Sequence, residues 1–305
     1  MTVLVVGSVA LDSVETPFGK AENVIGGSAT FFAASASLLT KVQVVGIVGS
    51  DFPIEKLDRL KARGVDLAGL EHAEGESFRW RGRYRHDLNA AETLETMLGV
   101  FSHFAPKIPE QFRDTPYVFL GNIDPRLQIE VLRQVRKPKL VACDTMNFWI
   151  ESRRGDLLAL LKEVDMVTLN DGEARQLTEE TNLVKAAKWI MQHGPKHVII
   201  KKGEHGAFMF NEKSVFFAPA YPLESVFDPT GAGDSFAGGF FGYLSRSGDL
   251  SEGNMRRAVV CGCAMGSFAV ERFSVDRFFE ITEADLNARI DEFRRLVAFE
   301  KEVVG

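Results

Sequence analysis

The sequence predicts an α/β fold of three layers (αβα), with a mainly parallel central sheet and a small β lid. Short apolar runs rich in β-branched residues alternate with helical patterns over the first two thirds of the chain. Runs that are apolar on both faces are typical of strands buried between two layers of helices. After Asp228 the pattern becomes almost wholly helical. We expect the 305 residues to form a single domain, 1–305.

The individual elements follow from these patterns. Six runs predict buried strands: Val3–Val6, Val42–Val48, Tyr117–Leu120, Leu140–Cys143, Met166–Leu169 and His197–Ile200. Helices are predicted over Ala29–Leu39, Ile54–Ala62, Leu127–Val135, Leu157–Lys162, Leu183–Gln192, Asp234–Ser245, Met255–Val270 and Glu283–Val297. Ligands of such sheets bind beyond the carboxyl ends of the strands, so residues that follow each strand are candidates for a site.

Two segments, Val14–Ile25 and Glu76–Asp87, break this alternation and read as extended, partly polar strands. Strand geometry would place Phe78, Trp80 and Tyr84 on one face and the arginines on the other. The arginines are Arg79, Arg81, Arg83 and Arg85. A small projecting sheet is expected, acting as a lid or as a dimer surface; ordinary edge strands with a solvated basic face are the alternative.

Composition excludes several classes of protein. The net charge is −6 and the sequence has no long basic run, which argues against a duplex nucleic acid as partner, although a small anionic ligand needs only a local positive field. The three cysteines lack metal-site spacing and read as buried free thiols of a reducing compartment. No apolar run is long enough to span a membrane, and no signal peptide is recognised. We expect a soluble, cytoplasmic protein with no membrane partner.

The stretch from Asp228 to Gly239 carries the most chemical information. Small residues lead directly into a helix, so the N–H groups of Gly231, Ala232 and Gly233 are expected to point outward and form an anion site. Asp234 adds a carboxylate where an anion should bind, which makes sense if the site needs a base beside a phosphoryl group. On spacing alone, a glycine turn that packs the helix closely on the sheet fits equally well.

Here the chain resembles the PfkB/ribokinase family of carbohydrate and nucleoside kinases. Asp228–Phe241 matches the C-terminal signature of that family. The pair Gly26-Gly27 with Val45–Asp51 resembles its N-terminal signature, Asn170–Glu173 its Asn-x-x-Glu motif, and Lys202–Gly206 the glycine turn that borders the nucleotide. The sequence contains no Gly-x4-Gly-Lys-Ser/Thr motif, which argues against a P-loop kinase.

The resemblance implies roles at the donor side. Asp234 would take the proton of the attacking hydroxyl, and the amides of 231–233 would hold the phosphoryl oxygens. ATP and Mg²⁺ are the implied cofactors, with Glu173 reaching the metal through water. A plain helix start, with Asn170 as cap and Glu173 at its third position, is the alternative. The implied nucleotide-binding residues are Asn170, Lys202, Gly203, Gly206, Gly262 and Ser267, although small residues such as Gly262 also serve helix packing.

The acceptor side is implied by the same resemblance. Asp12 would accept hydrogen bonds from substrate hydroxyls that approach the backbone of Gly26 and Gly27. Asp144 and Asn147 follow another strand and would face the cleft, although a lone Asp after a strand is equally a helix cap. Many family members carry an Asn where this chain has Phe31. That departure leaves room for a substrate with an apolar or flat face, such as a nucleoside or a cyclitol.

The expected function is transfer of the γ-phosphoryl group of ATP to a hydroxyl of a small sugar. The expected acceptor is a CH2OH group. A nucleoside or cyclitol kinase is the alternative, and a non-catalytic sensor of sugars or nucleotides is a third reading. A dinucleotide-dependent dehydrogenase is disfavoured because no Gly-x-Gly-x-x-Gly follows the first strand. The aromatic face of the lid is expected to pack on a second lid in a homodimer or over the pocket beside Phe31.

Overall fold

Within residues 1–298, which a computed structural model describes, a nine-stranded sheet forms the centre of the protein. Its order is β13-β12-β11-β10-β9-β8-β1-β4-β5, and the strands from β11 to β5 are parallel, with β12 and β13 antiparallel at one edge. The bounds are β1 Thr2–Val6, β4 Lys41–Gly49, β5 Val65–Ala73, β8 Tyr117–Leu120, β9 Leu140–Asp144, β10 Met166–Asn170, β11 His197–Lys201, β12 Ala207–Asn211 and β13 Val215–Ala218.

Helices cover both faces of this sheet. The bounds are α1 Ser28–Ala36, α2 Asp58–Ala62, α3 Pro125–Leu132, α4 Asn147–Ser152, α5 Arg154–Leu161, α6 Asp171–Thr178, α7 Leu183–Gln192, α8 Ala232–Ser247, α9 Glu252–Ala269 and α10 Glu283–Val297. Successive side chains of β1 point to opposite faces of the sheet. Val3 and Val5 belong to the apolar core shared with α1, α8 and α9, whereas Leu4 and Val6 belong to the core shared with α3, α5 and α7. The predicted three-layer αβα fold is confirmed.

The second sheet, here called the lid, has the strand order β3-β2-β6-β7. Its bounds are β2 Ala10–Thr16, β3 Gly19–Gly26, β6 Arg79–Tyr84 and β7 Ala91–Met97. Strands β2 and β6 are parallel, and the other two pairs are antiparallel. The small β lid expected from the sequence is therefore present, with β7 as an additional strand.

Contacts within the chain occupy both faces of β6. Arg79, Arg83 and Arg85 form ion pairs with Asp51, Glu15 and Glu92. On the other face, the ring of Phe78 stacks on Phe101, the indole of Trp80 lies over Gly82, and the hydroxyl of Tyr84 lies 3.3 Å from Oγ1 of Thr230. The aromatic face therefore has partners within one chain, and Tyr84 brings the lid onto the loop before α8. The homodimer stays a prediction.

Some elements differ from the predicted ones. Residues 54–62 form a 3-10 turn, Ile54–Leu57, followed by the short α2, and α1 ends at Ala36, three residues early. Strand β7 escaped prediction because each of its residues is exposed, so no apolar alternation marks it. Strands β5, β12 and β13 were also missed. In the described part of the chain, no helix is both long and apolar enough to cross a membrane.

Candidate active site

Three neighbouring strands end in charged or polar side chains at one edge of the central sheet. Asp144 is the last residue of β9, Asn170 of β10 and Lys201 of β11. Asn170 and Lys201 are paired in register, and Asp144 is paired with Thr168. Because the carboxyl ends of parallel strands meet at one edge, these residues face the region where ligands of such sheets bind.

The loop before α8 has the form of an anion-binding turn. Gly231 adopts the left-handed conformation with φ of 71°, and Phe31 packs so closely beneath it that a Cβ at 231 would lie 2.2 Å from the ring. The N–H of Ala232 donates to the carbonyl of Pro229 at 3.2 Å. Within residues 1–298, the N–H groups of Gly231 and Gly233 have no such acceptor. Because the N–H of Ala232 is used within the turn, two of the three predicted amide donors, those of Gly231 and Gly233, remain for an anion.

Asp228 fixes the shape of this turn and was missed as a site residue. Its Oδ1 accepts from the N–H of Thr230 at 2.9 Å, and its Oδ2 accepts from the N–H of Ser274 at 3.2 Å. The side chain is 1% exposed, and burial raises the pKa of Asp228 above its usual range. Its place at the start of the signature stretch was the only sequence signal, because its partner at 274 is distant along the chain.

Asp234 occupies the third position of α8, at the positive end of the helix, and it is partly exposed. Desolvation, followed by the nearby Asp144 carboxylate, raises the pKa of Asp234 to about 7, and the ammonium of Lys201 opposes this shift. A carboxylate with a pKa near the working pH is suited to take a proton from a hydroxyl.

Lys201 is a functional candidate that sequence reasoning missed. Its Nζ donates to Oδ2 of Asp144 at 2.8 Å and lies over the anion loop, 2.9 Å from where a Cβ on Gly233 would stand. The Lys201 side chain is 18% exposed and that of Asp144 6%. Lys202 instead places its ammonium 6.0 Å from the ring centre of Phe208. Strand β11 ends at Lys201 and Lys202 belongs to the turn that follows, so Lys201, and not the predicted Lys202, lines the cleft.

Asn170 and Glu173 form a complete capping box at the start of α6. The side chain of Asn170 accepts from the N–H of Glu173 at 2.8 Å, and Glu173 Oε2 accepts from the N–H of Asn170 at 2.7 Å. Burial, and then the Asp144 carboxylate, raise the pKa of Glu173 to about 7. The helix cap predicted as the alternative is thus present, and Asp144, Lys201 and Asp234 lie near enough to affect the pKa of the Glu173 carboxyl group.

A magnesium ion fits this group of side chains. Within residues 1–298, no cluster of three His, Cys, Asp or Glu side chains could hold a metal by itself. Mg²⁺ does not require such a cluster, because it keeps several waters and is held by one or two carboxylates together with substrate phosphates. The ammonium of Lys201 contacts Asp144, and Glu173 and Asp234 lie near enough to raise its pKa as well, so three acidic groups share one cation. Glu173 would hold the ion through water.

We expect Glu173→Gln to raise the Mg²⁺ concentration needed for half-maximal rate by about 10-fold or more, the usual cost of losing an outer-sphere partner. The amide oxygen can still accept from the N–H of Asn170, so the melting temperature should stay within a few degrees of wild type. A magnesium titration of the rate, with a thermal melt as control, makes the measurement. An unchanged titration would mean that Glu173 serves only as a helix cap.

The acceptor side is built around Asp12, which is 5% exposed. A Cβ at Gly26 would lie 1.9 Å from its Oδ2, and the backbone of Gly27, with φ of 91°, acts to lower the pKa of the same carboxyl group. Burial, and then the carboxylate of Asp228, raise the pKa of Asp12 to about 7. The structure thus brings Asp12, Gly26 and Gly27 together, as the sequence predicted.

Three other predicted acceptor residues are placed differently. The carboxylate of Asp144 accepts hydrogen bonds from the ammonium of Lys201, the hydroxyl of Thr168 and the N–H of Thr145, all within the protein. Asn147 is exposed at the start of α4 and donates to Gln176. Phe31 is 2% exposed and packs under Gly231, so its ring shapes the anion loop and offers no open surface to a substrate.

A cleft of about 720 Å³ adjoins the anion loop, with Lys201 and Gly233 in its wall and Asp12 outside it. Of the predicted nucleotide residues, Gly203, Gly206 and Ser267 line it. Gly262 instead faces Phe236, 2.9 Å from its would-be Cβ, because α8 and α9 pack closely there. Ala232, predicted as part of the anion site, also lines the cleft. The other lining residues are His86, Asp87, Leu88, Asn89, Glu204, Ala207, Ala220, Tyr221, Pro222, Leu223, Val226, Pro229, Phe236, Cys263, Gly266 and Val270.

The fold and the site together define a small-molecule kinase: an anion loop at a helix start, a carboxylate base beside it, and a nucleotide-sized cleft. The profile of the pfkB family carbohydrate kinases matches residues 3–281. The chain belongs to this family and is a phosphotransferase with an alcohol group as acceptor.

Individual relatives refine this assignment. The chain is 32% identical to a cytidine kinase of Thermococcus kodakarensis over 83% of its own length and 91% of that protein. It is 23% identical to a nucleoside kinase of Methanocaldococcus jannaschii over 85% and 82% of the two chains. An aminoimidazole riboside kinase from Salmonella enterica, solved with aminoimidazole riboside and an ATP analogue, shares the fold at a TM-score of 0.75, with 21% identity over 95% and 100% of the chains.

Proposed function

We propose that this chain is a nucleoside kinase that transfers the γ-phosphoryl group of ATP, bound with Mg²⁺, to the CH2OH of a nucleoside. The observation that carries the proposal is the position of Asp234 at the start of α8. It lies close enough to the acceptor-side carboxylate to raise the pKa of Asp12, and its neighbour Gly233 lines the 720 Å³ cleft. The similarity to a cytidine kinase over most of both chains supports a nucleoside as acceptor.

At the acceptor, the buried Asp12 accepts hydrogen bonds from ribose hydroxyls, and the bare backbone at Gly26 and Gly27 lets the sugar approach. This places the CH2OH towards Asp234. Its oxygen attacks the γ-phosphorus, its proton passes to the Asp234 carboxylate, and the bond from phosphorus to the bridging oxygen of ADP breaks. Holding both reactants in line supplies much of the rate.

At the donor, the N–H groups of Gly231 and Gly233 and the ammonium of Lys201 point at the transferring group. Preorganised donors of this kind stabilise the charge that develops on the phosphoryl oxygens in the transition state. Asp144 keeps the ammonium over the loop. Glu173 would hold Mg²⁺ through water, and the ion would neutralise further charge on the phosphates.

The sequence led us to expect a sugar first and a nucleoside second, whereas the similarity to a cytidine kinase and to a nucleoside kinase, each over most of the chain, favours the reverse order. The departure at Phe31 pointed in the same direction, although the structure gives Phe31 a place under the anion loop and not in the acceptor wall. The non-catalytic sensor is not supported, because the chain belongs to a family of kinases.

A panel of acceptors tests the proposal. With Mg²⁺ and ATP, we expect cytidine, uridine, inosine and adenosine as a group to give a kcat/KM at least 100-fold above that of free ribose, fructose and myo-inositol. A buried site that hydrogen-bonds one acceptor rejects poorer matches by factors of about 10² and more. Preference for a free sugar or a cyclitol would overturn the nucleoside proposal and leave the kinase class standing.

The rate should depend on pH through Asp234. Its raised pKa of about 7 means that the base is protonated, and therefore inactive, below that pH and ionised above it. We expect kcat/KM for the acceptor to fall at least ~10-fold per unit below pH 7 and to level off above it. The raised pKa of Asp12 acts with the same sign. A profile that stays flat from pH 5.5 to 7.5 would contradict a base with this pKa.

A further inference from the structure

The turn that joins β6 to β7, residues 85–90 and here called the lid turn, has no part in the reaction described so far. It belongs to the lid, whose β2 carries the acceptor-side Asp12. Yet four of its residues, His86, Asp87, Leu88 and Asn89, line the 720 Å³ cleft together with Lys201 and Gly233. The lid thus reaches past the acceptor side to the donor side of the anion loop.

Asn89 makes the closest approach. Its Oδ1 lies 1.8 Å from where a Cβ on Gly203 would stand, so the amide rests directly against the glycine turn that opens the cleft. Gly203 has φ of 52°, a conformation that other residues rarely adopt. Glycine at position 203 therefore allows the left-handed turn and leaves the space that the Asn89 side chain occupies.

Two further contacts hold the lid turn in position. Asp87 accepts from the N–H of Asn89 at 2.9 Å, which folds the turn on itself. Just before the turn, Tyr84 is 9% exposed and contacts the hydroxyl of Thr230 in the anion loop. The lid turn is therefore placed by a buried anchor at its base and by the contact with Gly203 at its tip.

We infer that the lid turn is a subsite for the donor nucleotide, with the side chains of His86 and Asn89 as hydrogen-bonding groups facing it. This rests on the proposed function, in which the cleft holds a nucleoside triphosphate. Both side chains are exposed and polar, and they line the same cleft as the α9 residues Gly266 and Ser267. A nucleotide bound there contacts the same sheet that carries Asp12, so the donor helps to hold the acceptor wall in place.

Hydrogen–deuterium exchange of the full chain with Mg²⁺ and the ATP analogue AMP-PNP gives the first test. We expect slower exchange in peptides that cover both 85–90 and 203–207. Protection at 203–207 with unchanged exchange at 85–90 would overturn the role of the lid turn and leave the donor cleft intact. No protection at either segment would contradict the donor cleft itself, and with it the proposed function.

Calorimetric titration of AMP-PNP with Mg²⁺ gives the second test. The double variant His86→Ala/Asn89→Ala should bind the analogue about 5- to 10-fold more weakly than wild type, the usual effect of losing one or two hydrogen bonds. Thr96→Ala, also a change of an exposed polar side chain but on β7 outside the cleft, is the matched control and should bind as wild type does. Equal affinity of the double variant and wild type would overturn the inference.

Discussion

Replacing Asp234 by Asn should lower turnover by about 10²–10⁴-fold, the usual contribution of a positioned general base. The amide keeps the shape and most of the hydrogen bonding of the carboxylate, but it cannot take the proton of the attacking hydroxyl. Because the change removes negative charge next to Gly233, which lines the donor cleft, binding of AMP-PNP with Mg²⁺ should be retained or strengthened. Steady-state kinetics and a binding titration on the same preparation measure both quantities.

Asp156→Asn is the matched control for this variant. Asp156 is also the third residue of a helix and also follows a glycine, but it lies at the start of α5 away from the cleft. It should turn over substrate at the wild-type rate. If Asp234→Asn kept more than a tenth of the wild-type turnover, Asp234 would not be the base and the mechanism would need another proton acceptor.

Lys201→Met should cost about 10²–10³-fold in kcat, the typical loss of one preorganised donor to the developing charge. The variant also strands the buried Asp144 carboxylate, and breaking a buried ion pair from one side costs about 3–5 kcal/mol of stability. The activity loss must therefore be separated from a loss of folded protein. A thermal melt alongside the kinetics detects the second effect.

The double variant Asp144→Asn/Lys201→Met separates the loss of activity from the loss of folded protein. It removes both charges, and the amide oxygen that it places at position 144 can still accept from the hydroxyl of Thr168. We expect a melting temperature close to that of wild type with kcat still down by about 10²-fold or more. Lys202→Met, whose side chain lies by Phe208, should remain active. Recovery of most activity in the double variant would reduce Lys201 to a structural partner of Asp144.

The sequence predicted those parts of the fold that local apolar patterns encode. The buried strands β1, β4 and β8 to β11 are short runs with apolar residues on both faces, and each was predicted to within one or two residues. Strand β7 carries no such pattern, because it gains its place by pairing with β6 and not by burial. Pairing between distant strands leaves no periodic mark on either sequence.

The candidate site divides in the same way. Gly231 to Asp234 lie together in the chain, so a single stretch indicated both the anion loop and the base. Lys201 could be told from Lys202 only by the position at which β11 ends and the next turn begins, which tertiary packing decides. The approach of Asn89 to Gly203 joins residues 114 positions apart (203 − 89), and nothing in either local sequence indicates it.

Analysis of the products of a single reaction shows whether this chain phosphorylates a nucleoside. The chain is incubated with Mg²⁺, ATP and cytidine, and the products are examined by ³¹P NMR and mass spectrometry. We expect one ADP for each cytidine phosphorylated, with the phosphate on the CH2OH oxygen alone, and about 100-fold less of both products, or lower still, in the same time with Asp234→Asn. ATP hydrolysis without a phosphorylated nucleoside, from cytidine or from any nucleoside of the panel, would contradict this expectation.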